Sequence, residues 1–124
     1  MKQRNPDLSE EQQAVLFGKA TEAPFSGALL DLDDDGSYHC ANCHAKLFES
    51  QSKYDSGCGW PSFDRAIPDS VTYTSDSSFG MERIEVTCAN CDGHLGHVFD
   101  DGPRETTNQR YCINSLSLGF RKTE

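Results

Sequence analysis

The tetrapeptide CANC occurs twice, at residues 40–43 and 88–91, and each copy opens the same eight-residue frame: CANCHAKL and CANCDGHL. A CxxC turn sets two thiolates on one side of a tight knuckle, and two knuckles complete a tetrahedral sulfur site of the kind that suits zinc. Cys40, Cys43, Cys88 and Cys91 therefore predict one Zn2+ site. With four sulfurs it is closed, so its role is structural. The spacer between the pairs exceeds the ~15–20 residues of compact zinc ribbons, so the ion would staple two remote hairpins. The competing reading makes each CANC a thioredoxin-like redox pair, which normally follows a strand and opens a helix. Neither copy has a helical pattern after it.

A staple matters because the core is thin. The chain has 124 residues, the length of one domain spanning 1–124, and its hydrophobic fraction is 35%. That is low beside the usual ~45–50%, even though the usual figure also counts glycine. A metal would supplement such a core. The net charge is −9. An acidic surface with no Lys/Arg cluster repels phosphate backbones, which weighs against a nucleic-acid partner and against a nucleic-acid zinc ribbon. The opening MKQRNPDLSE has no apolar run, and no segment approaches the ~18–20 apolar residues of a membrane span. The expectation is a cytoplasmic, reducing setting with no membrane partner. There, six cysteines read as metal ligands or reactive thiols rather than as a disulfide framework.

Ser9-Glu10-Glu11-Gln12 is a capping-box pattern and Gly18 a stop, which predicts a helix over 10–17. After Pro24, short apolar or β-branched runs alternate with Gly, Asp, Ser and Pro clusters, the texture of an all-β domain. Strands are expected at 28–32, 37–39, 70–74, 81–87, 94–99 and 111–118. Asp31, Asp33, Asp35 and Gly36 fit the first positions of a calcium loop, but Asn42 stands where its bidentate Glu belongs. An Asp-Gly hairpin turn accounts for them better.

Two cysteines lie outside the repeated frame. In RYCINS, strand alternation puts Arg110, Cys112 and Asn114 on one face. A cation beside a thiol favours the thiolate, which is the nucleophile. Cys58 sits in SGCGWPSF between Gly57 and Gly59, whose backbones are permissive. Such a segment can bring one thiol to another, and a turn with an incidental cysteine fits equally well. Trp60 reads as ordinary core. In HLGHVF, His97 and Phe99 share a face of an extended chain, and His94 and His97 divide evenly between structural and functional readings.

Taken together, TEAPFSG, both CANC knuckles, YDSGCGWPSF, RIE, HLGHVFDDGP and RYCINS resemble the methionine-R-sulfoxide reductase family, the B type. The resemblance runs from about Leu8 to Phe120. It implies a mainly β fold of two small antiparallel sheets, tent- or barrel-like, with short N-terminal helices and the four-cysteine zinc site as a staple. It implies that Cys112 is the nucleophile and Cys58 the resolving cysteine, and that Trp60, His94, His97, Phe99 and Asn114 form the substrate pocket. It further implies selectivity for the R epimer of methionine sulfoxide in oxidised proteins or peptides, with thioredoxin as reductant. Asp100 stands where many members have proline.

The residue types suit that chemistry. A sulfoxide sulfur is electrophilic, so a Cys112 thiolate would attack it. His97, with His94 beside it, would protonate the departing oxygen. Asn114 and Arg110 would supply hydrogen bonds or positive potential. Oxygen transfer leaves a sulfenic acid that Cys58 resolves to a disulfide. Trp60 and Phe99 would hold the S-methyl group. No organic cofactor is expected, and the chain is expected to act as a monomer. A non-enzymatic zinc-stabilised binding module is the alternative, and it gives Cys58 and Cys112 no role.

Overall fold

In the computed structural model, residues 5–77 and 82–122 are described. One α-helix among them, α1 (Glu10–Gly18), begins where the sequence places it. The Ser9 side chain accepts from Gln12 N and the Gln12 side chain accepts from Ser9 N, a reciprocal cap. The stop differs by one residue. Gly18 is the last helical residue, and Lys19 takes the left-handed position with φ 58°. Val15 and Leu16 form the buried side of α1.

Nine strands follow: β1 (Gly36–Cys40), β2 (Lys46–Glu49), β3 (Lys53–Tyr54), β4 (Ser62–Phe63), β5 (Val71–Asp76), β6 (Arg83–Cys88), β7 (His94–Phe99), β8 (Arg110–Ile113) and β9 (Leu118–Lys122). They form two antiparallel sheets, one ordered β2-β1-β9 and the other β3-β4-β8-β7-β6-β5. Between them lies an aromatic core. Phe48 stacks on Phe63 at 4.2 Å between centroids, and Tyr38 meets Phe63 edge-on at 5.1 Å. Leu47 and Leu95, the leucines that end the two repeated frames, are both fully buried.

Three of the expected elements change. Residues 28–32 are turns, because the carbonyls of Leu30 and Leu32 accept from Lys53 Nζ, at 2.8 Å each, instead of joining a ladder. The Asp-Gly segment consequently leads from turns into β1 and is no hairpin turn. The expected strand over 111–118 breaks in two at a 3-10 turn, Ser115–Ser117. There Ser117 Oγ donates to His94 O at 2.8 Å and Asn114 N to Leu95 O at 2.9 Å. Both bonds reach β7 and hold the turn where the chain crosses from one sheet to the other. Met81, the expected start of β6, lies outside the described residues; β6 runs Arg83–Cys88.

Candidate active site and metal cluster

The two CANC knuckles have the same backbone. Cys40 N donates to Ala45 O and His44 N to Cys40 O; Cys88 N donates to Gly93 O and Asp92 N to Cys88 O. His44 and Asp92 both take positive φ, 68° and 64°. One knuckle turns the β1–β2 hairpin and the other the β6–β7 hairpin, so the repeat supplies one turn from each sheet. The four Sγ atoms all lie within 4.8 Å of one another, a group able to hold a metal ion.

The second site is built across the larger sheet. Register aligns Tyr54, Ser62, Cys112, His97 and Glu85 in one row over five strands, β3, β4, β8, β7 and β6, so their side chains share a face. Phe99 pairs with Arg110 two residues along on that face. His94 would point away under strict alternation. A β-bulge corrects this: Val86 pairs with Gly96 but Thr87 pairs with His94, so β7 gains a residue at Leu95. The two imidazoles come to 5.6 Å between centroids. Gly96 is required at this crowded point, since a Cβ there would meet Cys112 O at 2.0 Å.

Cys58, Trp60, His97, Phe99, Arg110, Cys112 and Asn114 line one cavity of about 300 Å³. His94 does not line it; it is buried behind His97, with Nδ1 2.8 Å from Glu85 Oε2. Burial pushes the His94 imidazole below its usual value, against the pull of Glu85, which keeps the ring neutral at pH 7. Asn114 Oδ1 accepts from Glu22 N at 3.0 Å, and its Nδ2 donates to Leu95 O at 2.9 Å. Its amide therefore ties the N-terminal segment to β7. Trp60 is half-buried rather than core, and its Nε1 donates to Glu22 O at 3.0 Å.

The two sulfurs meet. Cys58 Sγ lies 2.9 Å from Cys112 Sγ and 3.3 Å from Ser62 Oγ. Gly57 and Gly59 hold the Cys58 turn at φ 77° and 96°, a conformation that glycine adopts without penalty. Arg110 Nη1 stands 3.1 Å from Cys112 Sγ. Its Nε and Nη2 bond both oxygens of Asp101, and its guanidinium covers the Phe99 ring at 4.5 Å. Charge does not follow the guanidinium alone. Burial first, then the adjacent Cys58 sulfur, push Cys112 up to about 12 against the pull of Arg110. Burial also raises Cys58, but hydrogen bonds from Cys112, Ser56 and Ser62 outweigh it and bring that thiol down to about 7. Two sulfurs this close cannot both be anionic, so the pair carries at most one charge, and the opposed shifts favour Cys58 as its bearer.

Several supports were not legible in the sequence. Asp76 Oδ2 lies 2.8 Å from His97 Nε2 and 3.4 Å from Arg83 Nη2. Asp101, Glu22, Ser56 and Ser62 act on Arg110, Trp60 and Cys58 as described above. Glu85 was visible within RIE, but its partner His94 depends on the bulge.

The chain matches the SelR domain family over residues 8–122. A Chromohalobacter salexigens protein named peptide methionine sulfoxide reductase MsrB is 56% identical over 118 residues, covering 94% of this chain and 89% of that one. An Escherichia coli protein of the same name is 56% identical over 119 residues, covering 95% of this chain and 86% of that one. A crystal structure of the Mis18 "Yippee-like" domain superposes with a TM-score of 0.58 at 17% identity, over 73% of this chain and 98% of that one. That last likeness is one of fold alone.

Proposed function

This chain belongs to the SelR-domain family of B-type methionine sulfoxide reductases, and on that premise we propose how its own residues perform the reaction. It is an oxidoreductase that reduces methionine (R)-sulfoxide in proteins to methionine. The observation that carries the mechanism is the contact of Cys58 and Cys112 inside one cavity with His97.

Substrate entry separates the sulfurs. Burial still raises Cys112, but the Cys58 sulfur no longer does, and Arg110 remains on its sulfur to favour the thiolate. The Cys112 thiolate attacks the sulfoxide sulfur. His97 delivers a proton to the oxygen as the S–O bond breaks, and the oxygen passes to Cys112 as a sulfenic acid. The substrate sulfur gains two electrons and Cys112 loses two. The Cys58 thiolate next attacks Cys112 Sγ, the S–O bond breaks, the hydroxide takes a proton from solvent and leaves as water, and a disulfide forms. A dithiol donor, thioredoxin in our reading, returns the pair to thiols.

His94 acts from behind, as a neutral imidazole that buttresses His97 and is itself held by Glu85. Asn114 lines the cavity wall, and Trp60 and Phe99 hold the S-methyl group. With the methyl between those rings, the oxygen toward His97 and the thiolate on the remaining side, one epimer at sulfur fits.

Zinc suits the four-cysteine cluster. A tetrahedral ion with Zn–S of about 2.3 Å requires sulfurs about 3.8 Å apart. Cys40–Cys91 and Cys43–Cys88 are 3.6 and 3.5 Å apart. Zinc there would join the two sheets and take no part in the chemistry. No described helix is long and apolar enough to cross a membrane. We read the setting as cytoplasmic and reducing, because a dithiol donor must regenerate the Cys58–Cys112 pair. In the same reading the chain acts as a monomer and as one domain.

The test is chiral chromatography of racemic N-blocked methionine sulfoxide after incubation with the protein and dithiothreitol. Loss of the R epimer alone is expected. Survival of both epimers, with zinc bound and the fold intact, would overturn the reading in favour of a binding module.

A further inference from the structure

Residues 23–26 make a tight turn in which Ser26 N donates to Ala23 O at 3.3 Å. Pro24 occupies its second position and Phe25 its third, at φ 63°. A turn with proline followed by positive φ is the type II pattern, whose third position ordinarily belongs to glycine or asparagine. A phenylalanine there carries a steric penalty that glycine avoids. Burial does not offset it, because Phe25 is 71% exposed, the most exposed large hydrophobic among the described residues. Fold stability therefore does not account for this side chain.

Its position does. Phe25 N donates to Gly59 O at 2.7 Å. Gly59 lies between Cys58 and Trp60, which both line the catalytic cavity. A Cβ on Gly59 would come within 3.2 Å of the Phe25 ring, so the ring lies directly against the backbone of the redox loop. A cavity of about 300 Å³ takes a methionine sulfoxide side chain but not the residues on either side of it. In a protein substrate those residues must run over the rim.

We propose that Phe25 is a docking contact for the polypeptide that flanks the methionine sulfoxide in a protein substrate; this rests on the reductase reading above. The partner is an extended chain whose apolar side chains cover the ring. Strained backbone persists where a structure holds it for function, and here the Gly59 carbonyl and Pro24 hold it.

The test compares kcat/KM, with dithiothreitol as reductant, for N-acetylmethionine sulfoxide and for a pentapeptide with a central methionine sulfoxide flanked by valines. The chains are wild type, Phe25→Gly and Phe25→Tyr. Glycine keeps the left-handed turn and removes only the ring. The peptide-to-small-substrate ratio should fall about fivefold to tenfold in Phe25→Gly, through KM, because no ring remains to cover the flanking valines. Phe25→Tyr should restore the ratio, and the melting temperature of Phe25→Gly should not fall. A ratio within about twofold of wild type would overturn the proposal. So would equal decreases on both substrates with a lower melting temperature, which would make the ring structural. A preserved ratio with slower thioredoxin-driven turnover would also overturn it, assigning the ring to the reductant. A wild-type chain inactive on both substrates would overturn the reductase reading itself, and this proposal with it.

Discussion

The sulfur of Cys58 touches that of Cys112, at 2.9 Å, with no disulfide bond between them. The resolving step therefore requires no long excursion, whereas the first step requires the sulfurs to part. Charge obeys the same geometry, since each sulfur sets the proton affinity of the other.

Titration of the reduced protein at 240 nm should reveal that coupling. One thiolate should appear near pH 7, from Cys58, and the next only in strong alkali, from Cys112. In Cys58→Ser the neutral step should vanish. Cys112 should then titrate below its wild-type position, because the neighbour that raises it is gone. Survival of the neutral step in that variant would place the charge on another sulfur.

The two cysteines should fail differently. Cys112→Ser should abolish reduction with any reductant. Cys58→Ser should give a single stoichiometric turnover, counted as methionine released per chain, and should lose thioredoxin-driven cycling. Normal cycling of Cys58→Ser with thioredoxin would remove Cys58 from the resolving role.

Asp76 holds His97 at Nε2 and bonds Arg83 with the same oxygen. Asp76→Asn should lower kcat about tenfold with KM little changed, a part of the 10²–10⁴-fold that a positioned proton donor contributes. Asp76→Glu should recover part of that rate. Equal effects on kcat and on thermal stability would make the aspartate a packing residue instead.

Gly96 admits the β8 backbone. Gly96→Ala should destabilise the chain by about 1–3 kcal/mol, the range of overpacking in a filled interior, because the added carbon meets Cys112 O at 2.0 Å. Activity should fall with it, since Cys112 and His97 are paired across that contact. A variant as stable and active as wild type would mean that the two strands can part at no cost.

Cys40→Ser should release zinc and lower the melting temperature by about 10 °C or more, as structural zinc carries on the order of 10 kcal/mol of binding free energy. Metal analysis and calorimetry on the same sample check this. A metal-free chain that melts at the wild-type temperature would refute the structural role.

The sequence was most informative where chemistry demands particular residues at fixed spacing. The paired knuckles, the thiol beside a cation on β8 and the two left-over cysteines all read directly from it. The capping box located α1, and the pattern of short runs between turn residues located β5 and β7. That pattern failed at β3 and β4, which have two residues each and so no period to detect. It failed again at 111–118, where serine and asparagine bonds to β7 interrupt an apolar pattern. The bulge at Leu95 has no local signature, yet it puts His94 beside His97. The charge on Cys58 depends on a contact between residues 54 positions apart, which no local pattern encodes.

Strand order carries a consequence for synthesis. β8 comes late in the chain but lies inside the larger sheet, between β4 and β7. The β3–β4 pair joins that sheet through β8 alone. A nascent chain that ends before Arg110 can already carry both cysteine knuckles and the β5–β6–β7 meander, but it has nowhere to dock β3 and β4. Emergence of a single four-residue strand then closes the sheet, seats the Cys58 turn and delivers Cys112 to it in one event. The reactive pair is thus assembled only after β8 has been made, and a chain truncated before β8 never presents it.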